Sequence, residues 1–339
     1  MPGEQPVGQA VIKLNTNEHA LPPSDAVMSA ILSLSGEALR RYPDPTARPL
    51  RTAIAVQEGL SAAQVFVGNG SDEVLAHIWA ACLANRRVAS VDITYGFYPV
   101  WSQLYGSTLT QCPLRDDFSV DIDALLTVEE AVVLANPNAP TGLALTRSQI
   151  ETLVAANRNR LVVIDEAYYG FGAETAAPLI NNYDNLIVTR SLSKSHSLAG
   201  MRVGYALAHP GLVDGLNRIK DSFNSYPLDA VAQLAATAAI EDVEWLARAS
   251  KVVIDSRKSM TEGLLAMGFE VLSSQANFIF TRPGRGSGLR LFDALRQRNI
   301  LVRRWDTPRI ADWLRISIGT PEQTRALLAA VADILDGAG

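Results

Sequence analysis

Seven short runs rich in β-branched and other apolar residues, AQVFVG, RVASVD, STLTQCP, EAVVLAN, RLVVIDE, NLIVTRS and RVGYALA, recur between residues 63 and 208 with helical stretches between them. Runs of this kind, bounded by Gly, Asn, Pro and Asp, read as strands buried on both faces, the situation in a largely parallel sheet covered by helices. The expected fold class is therefore α/β, with a mostly parallel seven-stranded sheet. Such sheets gather their ligand groups at the carboxyl ends of the strands. The residues that follow each run are thus the ones to read for chemistry.

Past about Tyr226 the texture changes. A long Ala-rich stretch carries helical periodicity, then come strand-like FEVLSS and NFIFTRP, a helix around GLRLFDALRQRN, the strands ILVRRW and WLRISIG, and a final helix from Pro321. This alternation reads as a smaller α+β unit. At 339 residues the chain exceeds the usual size of one domain. We expect a large domain over 24–235 and a smaller one from 1–23 and 236–339, joined by one long helix near 228–265. Ser24, Asp25 and Ser71 are the capping candidates of the early helices.

Composition narrows the function classes. With 48% hydrophobic and 19% charged residues the chain is an ordinary globular one, and its net charge of −5 carries no basic excess for nucleic acid. Cys82 and Cys112 lie in apolar stretches and suit reduced core thiols, while His19, His77, His196 and His209 lack ligand spacing. No metal is expected. No signal-peptide pattern or membrane-length apolar run is visible, so the default expectation is a cytoplasmic protein with no membrane partner.

Chemistry concentrates at the strand ends. In SLSKSHSLAGMRVGY, Lys194 stands among hydroxyls just upstream of Arg202. A Schiff base needs an amine that sheds its proton, and a cationic neighbour such as Arg202 favours that. Ser191, Ser193 and Arg202 supply donors for a phosphate. VFVGNGSDE runs a strand into a helix start at Ser71, where unpaired backbone N–H groups and the positive end of the macrodipole attract an anion. Its spacing lacks the third glycine of a dinucleotide fingerprint. RLVVIDEAYYGF places Asp165 at the end of an apolar strand, where a carboxylate needs a cation such as a protonated pyridine nitrogen. Tyr168 can donate to a neighbouring oxygen. In ANPNAPTG, Asn136 and Asn138 offer amides for a phenolic oxygen, and Tyr95 in DITYGFYPVW offers a stacking face. An imine lysine, an acid partner, a stacking face and a phosphate cup together are what pyridoxal 5′-phosphate requires.

The chain resembles the fold-type I pyridoxal-phosphate aminotransferases, and within them is similar to histidinol-phosphate aminotransferases over almost its whole length. KLNTNE, RRYPDP, GNGSDEVL, NPNAPTG, VVIDEAYYGFG, SLSKSHSLAGMRVGY, NSYPLD, SQANFIF and LRISIGT carry the resemblance in order. It implies exchange of an amine between L-histidinol phosphate and 2-oxoglutarate, in histidine biosynthesis. It further implies that Lys194 anchors the cofactor and moves the proton, that Asp165 keeps the ring nitrogen protonated, that Tyr168 donates to the phenolic oxygen and that Tyr95 stacks on the ring. Ser71 and Asp72 through their backbone amides, with Ser191, Ser193 and Arg202, would hold the phosphate. Tyr42 would reach the cofactor phosphate of a neighbouring subunit, making the enzyme a homodimer with shared sites. Arg315, Arg303 and Asn17 are the implied substrate contacts.

Three departures from the family pattern bear on substrate. The tyrosine usual ahead of the segment corresponding to PGEQP has no counterpart, Met1 standing directly before Pro2, which points to an upstream start or a shifted specificity. Ala139 replaces an asparagine frequent in NPNAPTG, leaving Asn138 as the amide for the phenolic oxygen. His19, Ala20 and Leu21 replace the usual Asn-Pro-aromatic stretch at the substrate entrance. An aminotransferase for an aromatic or other non-phosphorylated amino acid is therefore a second expectation. A phosphothreonine decarboxylase and a non-catalytic cofactor-binding regulator are more distant ones.

Overall fold

The computed structural model describes Glu4 and residues 11–337. The rest of the PGEQP segment, Glu4 apart, lies outside the described residues. The chain begins with β1 (Ile12–Lys13), α1 (Asp25–Leu32), α2 (Gly36–Leu39) and α3 (Arg48–Glu58). Then follow β2 (Val65–Gly68), α4 (Gly70–Ile78), β3 (Arg87–Val91), α5 (Tyr98–Leu104), β4 (Thr108–Cys112), α6 (Ile122–Leu126), β5 (Ala131–Ala135), α7 (Arg147–Ala155), β6 (Val162–Asp165), β7 (Leu186–Ser191), α8 (Leu192–Ser195) and β8 (Gly204–Ala208). All seven apolar runs expected as strands lie in one seven-stranded sheet of order β2-β8-β7-β6-β5-β3-β4. Only β8 runs antiparallel to its neighbours.

The two-sided burial that made these runs apolar is visible residue by residue. Val132 and Leu134 of β5, Val162 and Ile164 of β6, and Leu186 and Val188 of β7 enter the apolar cluster on one face. Val133, Val163 and Ile187, the residues between them, enter the cluster on the other. A strand's alternation thus feeds two cores at once, which leaves no polar face to expose. Each fully buried Val, Leu or Ile stabilises the sheet by about 1.5–3 kcal/mol relative to exposure.

The later elements are α9 (Pro210–Phe223), α10 (Ala230–Glu241), α11 (Val243–Ala266), β9 (Glu270–Val271), β10 (Phe278–Arg282), α12 (Gly288–Gln297), β11 (Ile300–Leu301), β12 (Arg303–Arg304), β13 (Leu314–Ser317) and α13 (Pro321–Asp336). An antiparallel sheet of order β12-β13-β10-β9 forms here, and β11 pairs in parallel with the N-terminal β1. A separate apolar cluster unites Leu14 with Val253, Met260, Ile279, Leu295, Ile316 and Val331. The Ala-rich stretch expected as one long helix is two. Asp242 ends α10 with ψ 65°, and its carboxylate accepts from Trp245 N at 3.0 Å to start α11. Ser24 caps α1 as expected. Ser71 does not cap α4, because Gly70, at φ +84°, already begins the helix after Asn69 and puts Ser71 in its first turn.

No helix among the described residues is long and apolar enough to cross a membrane. No group of three or more His, Cys, Asp or Glu side chains is placed to hold a metal among them either.

The contact between β8 and α4 leaves no space for a side chain. A Cβ on Gly204 would stand 2.3 Å from Ser71 N and 2.5 Å from Gly70 C, both backbone atoms. Gly204→Ala should therefore cost about 1–3 kcal/mol by overpacking, read as a lower urea midpoint. An unchanged midpoint would show that this helix start has slack.

Candidate active site

The sheet assembles its polar groups along one edge. β2, β5, β6 and β7 all end there, at Gly68, Ala135, Asp165 and Ser191, and the reversed β8 begins there at Gly204. Asp165 is buried and accepts three hydrogen bonds: from Tyr98 Oη at 3.0 Å, Thr189 Oγ1 at 3.1 Å and Ala167 N at 3.2 Å. Burial outweighs them and pushes its carboxyl up to about 6, with Asp72 adding to the rise. Tyr98 and Thr189 were not singled out from the sequence. Tyr98 reads there as core packing beside Phe97 and Trp101, and Thr189 as an ordinary strand residue whose cross-strand pairing with Asp165 is set only by register.

Lys194 lies in the one-turn helix α8 directly after β7. Its Nζ donates to the carbonyl of Thr16 at 2.9 Å, so the N-terminal segment lies against the lysine. Burial is the main cause that brings its pKa down to about 8, followed by the positive charge of Arg315 and, with smaller weight, Arg202. The cationic neighbour expected from the sequence thus ranks behind desolvation and behind an arginine more than a hundred positions away.

Around the start of α4 the donors converge. Arg202 Nη1 donates to Ser193 Oγ at 3.3 Å and Nη2 to Asp72 Oδ2 at 3.4 Å. A Cβ on Gly70 would stand 2.3 Å from Arg202 Nη2, so only glycine lets the guanidinium lie over the helix start. Arg202 itself holds φ +53°, a backbone state that non-glycine residues adopt at some cost. Asp72 also accepts from Tyr95 Oη at 2.8 Å, which ties the aromatic to the same cup. Tyr95 is stacked on Phe97 with ring centroids 5.6 Å apart. Ser191 Oγ accepts from Ser193 N at 3.2 Å.

Tyr168 Oη accepts from Asn17 Nδ2 at 3.0 Å, leaving its own O–H to donate. Asn17 is fixed in turn, since its Oδ1 accepts from Ser317 Oγ at 2.8 Å and its carbonyl from Asn277 Nδ2 at 2.9 Å. Asn138 departs from its expected part. Its two amide hydrogens go to the Ile93 carbonyl at 2.9 Å and Thr141 Oγ1 at 3.1 Å, and its Oδ1 accepts from Thr94 Oγ1 at 2.8 Å. These bonds hold the NPNAPTG turn against the β3 end and spend the donors that a phenolic oxygen would use. Asn136 likewise serves the turn, its Oδ1 accepting from Leu145 N at 2.7 Å.

Arg315 on β13 donates through Nη2 to the Asn15 carbonyl at 3.0 Å, while its buried Nε meets no acceptor among the described residues. Arg303 is its cross-strand partner on β12. Tyr42 lies away from these burials, 81% exposed and stacked on Tyr226 with centroids 4.7 Å apart. His19 Nδ1 accepts from Leu21 N at 2.9 Å, and burial brings its pKa down to about 4. Beyond the expected residues, Glu166 turns away from Asp165 to bind Arg190 Nε at 2.9 Å, and Glu58 binds Arg190 Nη1 at 2.5 Å. This buried triad braces the strand that delivers Ser191.

The family described as aminotransferase class I and II matches residues 9–331. The chain belongs to that family. A curated histidinol-phosphate aminotransferase from Gluconacetobacter diazotrophicus is 52% identical to it, covering 99% of this chain and 94% of that protein. Histidinol-phosphate aminotransferase 1 of Bradyrhizobium diazoefficiens is 50% identical, over 99% and 96%. Among solved structures, the histidinol-phosphate aminotransferase of Sinorhizobium meliloti in complex with pyridoxal-5′-phosphate superposes with a TM-score of 0.88 at 26% identity, covering 98% of this chain and 93% of that one. The cofactor of this aminotransferase is pyridoxal 5′-phosphate, and the donor set fits it. The cradle over Gly70 admits a guanidinium where any Cβ would intrude, at a helix start whose first N–H groups lack intrahelical partners, and a buried carboxylate and a proton-shedding amine share the sheet edge.

The lowered pKa of Lys194 has a stability consequence. In cofactor-free protein at pH 7 both folded and unfolded states carry its proton, so folding bears the cost of burying the charge. Between about 8 and the ordinary 10.5 the folded state has released the proton and the unfolded state has not, so stability rises with pH. Lys194→Met should raise the melting temperature of cofactor-free protein at pH 7, and the gap should narrow from pH 8 upward. A pH-independent gap would place the lysine charge in solvent.

Proposed function

We propose that this aminotransferase moves the amino group between L-histidinol phosphate and 2-oxoglutarate, yielding imidazole-acetol phosphate and L-glutamate, as a step of histidine biosynthesis. The observation that carries the substrate reading is the pair of arginines opposed across β12 and β13, of which Arg315 has a buried Nε with no acceptor among the described residues and is close enough to Lys194 to lower its pKa. Such a pair suits an anionic group on each substrate, a phosphate on one and a carboxylate on the other. The names of the relatives at 50–52% identity support the same choice.

Bound pyridoxal 5′-phosphate supplies the electron sink that lets the substrate's α-carbon lose a proton. Lys194 Nζ would be its covalent anchor and the base that carries that proton. Asp165, costly to ionise where it stands, keeps a proton on the ring nitrogen by offering it a countercharge. Tyr168 donates its O–H to the phenolic oxygen, braced by Asn17, and Tyr95 provides a stacking face. The N–H groups of Ser71 and Asp72, with Ser191, Ser193 and Arg202, hold the phosphate. Arg315 and Arg303 bind the substrate anion and Asn17 lines its approach.

The exposed Tyr42, paired with Tyr226 on the surface, is placed in this reading at a homodimer interface, reaching the partner's cofactor phosphate. The separate apolar cluster that joins Leu14 to the C-terminal elements supports two lobes, which we assign to 24–235 and to 1–23 with 236–339, with Ala236, Ala239 and Ile240 of α10 packing against the large sheet across that boundary. A cytoplasmic location goes with the biosynthetic role.

Substrate competition tests the proposal. Histidinol phosphate should be preferred over phenylalanine at matched concentration, and a preference for phenylalanine of more than about tenfold, ~1.4 kcal/mol in the barrier, would assign the enzyme to aromatic amino acids. Lys194→Ala should abolish both turnover and the visible absorbance of lysine-anchored cofactor. Mixing Lys194→Ala with Tyr42→Phe subunits should give dimers in which one site pairs two intact residues. No gain in any mixture over the activity of the Tyr42→Phe subunits alone would count against shared sites.

A further inference from the structure

We infer that Trp305 is the positioning residue of the substrate-anion site, a single indole that holds Arg303 and Arg315 together as one receptor for a doubly charged group. Resting on the reading that these arginines bind the substrate anion, it adds the residue that makes two like charges act as a unit.

Arg303 and Arg315 are directly opposed in the antiparallel β12–β13 pair. Like charges in that relation repel and destabilise the pairing. Trp305 follows Arg303 by two positions, the spacing that returns a side chain to the same side of an extended strand. The Arg315 guanidinium carbon lies over the Trp305 ring at 5.3 Å from its centroid, and that of Arg303 at 5.7 Å. Both distances fall within the reach of cation–π attraction, which ends near ~6 Å. One ring therefore offsets part of the repulsion between the two cations.

The indole is itself fixed. Its ring meets Phe280 edge-on at 6.4 Å, and Phe280 stacks on buried Trp313 at 5.0 Å and 18°. Arg315 is further held by the Phe278 ring at 5.4 Å and by the Asn15 carbonyl. With Nη2 engaged there, the buried Nε is left for an incoming acceptor. Two guanidiniums held at one ring match a phosphate dianion or a terminal carboxylate better than a neutral side chain, which ties Trp305 to the choice of substrate.

The test uses the holoenzyme and two unreactive probes, inorganic phosphate and maleate, with binding read from the cofactor absorbance. Trp305→Leu keeps apolar bulk and removes the indole. It should weaken both dianions about tenfold and raise KM for histidinol phosphate and glutamate by a similar factor, with kcat and the pH midpoint of the cofactor absorbance unchanged. Trp305→Phe, with a smaller π face, should give an intermediate loss of about threefold and guards against a folding defect in the leucine variant. Dianion binding unchanged in both variants, or a fall in kcat with KM constant, would overturn the role of Trp305. Arg315→Lys is the control for the underlying reading. If it too binds both dianions like the parent, the arginine site is wrongly placed and the inference falls with it, whereas weakened binding in Arg315→Lys alone rejects only Trp305.

Discussion

A carboxylate removed from water must be answered by a positive charge or give up its own. Asp165 sits under that constraint at the end of β6. Three donors hold it, yet burial still pushes it up to about 6. Just past the neighbouring strand β7, Lys194 faces the mirror problem, a cation driven toward neutrality by the same dry edge. Neither is the other's partner, because the lysine turns to the Thr16 carbonyl. The edge is thus built with one negative and one positive demand left partly unmet, and a group that carries a ring cation and an aldehyde meets both. The rest of the fold follows from keeping this edge dry. Two apolar clusters sandwich the sheet, and the segment from Leu14 to Asn17 lies over the lysine from the C-terminal side of the molecule.

Much of this was legible in the amino-acid order because two-sided burial writes itself as unbroken apolar runs. The seven strands and the residues just past their ends needed no long-range information. What escaped depended on distant parts of the chain. Asn138 reads as a free amide until Ile93, Thr94 and Thr141 close around it. Ser71 reads as a cap because the positive φ of Gly70, which starts the helix one residue sooner, leaves no mark of its own. Arg202 looks like the cation that tunes Lys194 since it is near in sequence, whereas Arg315 arrives from another sheet. The helix break at Asp242 hides inside a continuous Ala-rich periodicity, and is visible only as an aspartate that can cap. Trp305 gives no signal at all, since an aromatic after two arginines at a strand edge is ordinary until the opposing strand is known.

The buried Glu58–Arg190–Glu166 triad shows the other way of handling a desolvated charge. There every demand is met inside the protein, with Arg190 also lying over the Tyr169 ring at 3.6 Å. Breaking such a set by removing one partner costs about 3–5 kcal/mol. Adjacent residues, Asp165 and Glu166, thus divide the work of one strand end, the first kept incomplete for a ligand and the second completed for rigidity.

The single reversed strand carries a consequence for how the site is wired. Because β8 runs against its neighbours, the chain leaving β7 need not travel to the far side of the sheet and back. It turns at the edge, and the short link between Ser191 and Gly204 supplies the lysine, two serines and the arginine of the cup in one pass. In the proposed reading the covalent anchor and the phosphate clamp are therefore on the same tether. A shift of that loop would move both together, so the grip on the two ends of the cofactor behaves as one mechanical unit, set by chain direction as much as by side chains.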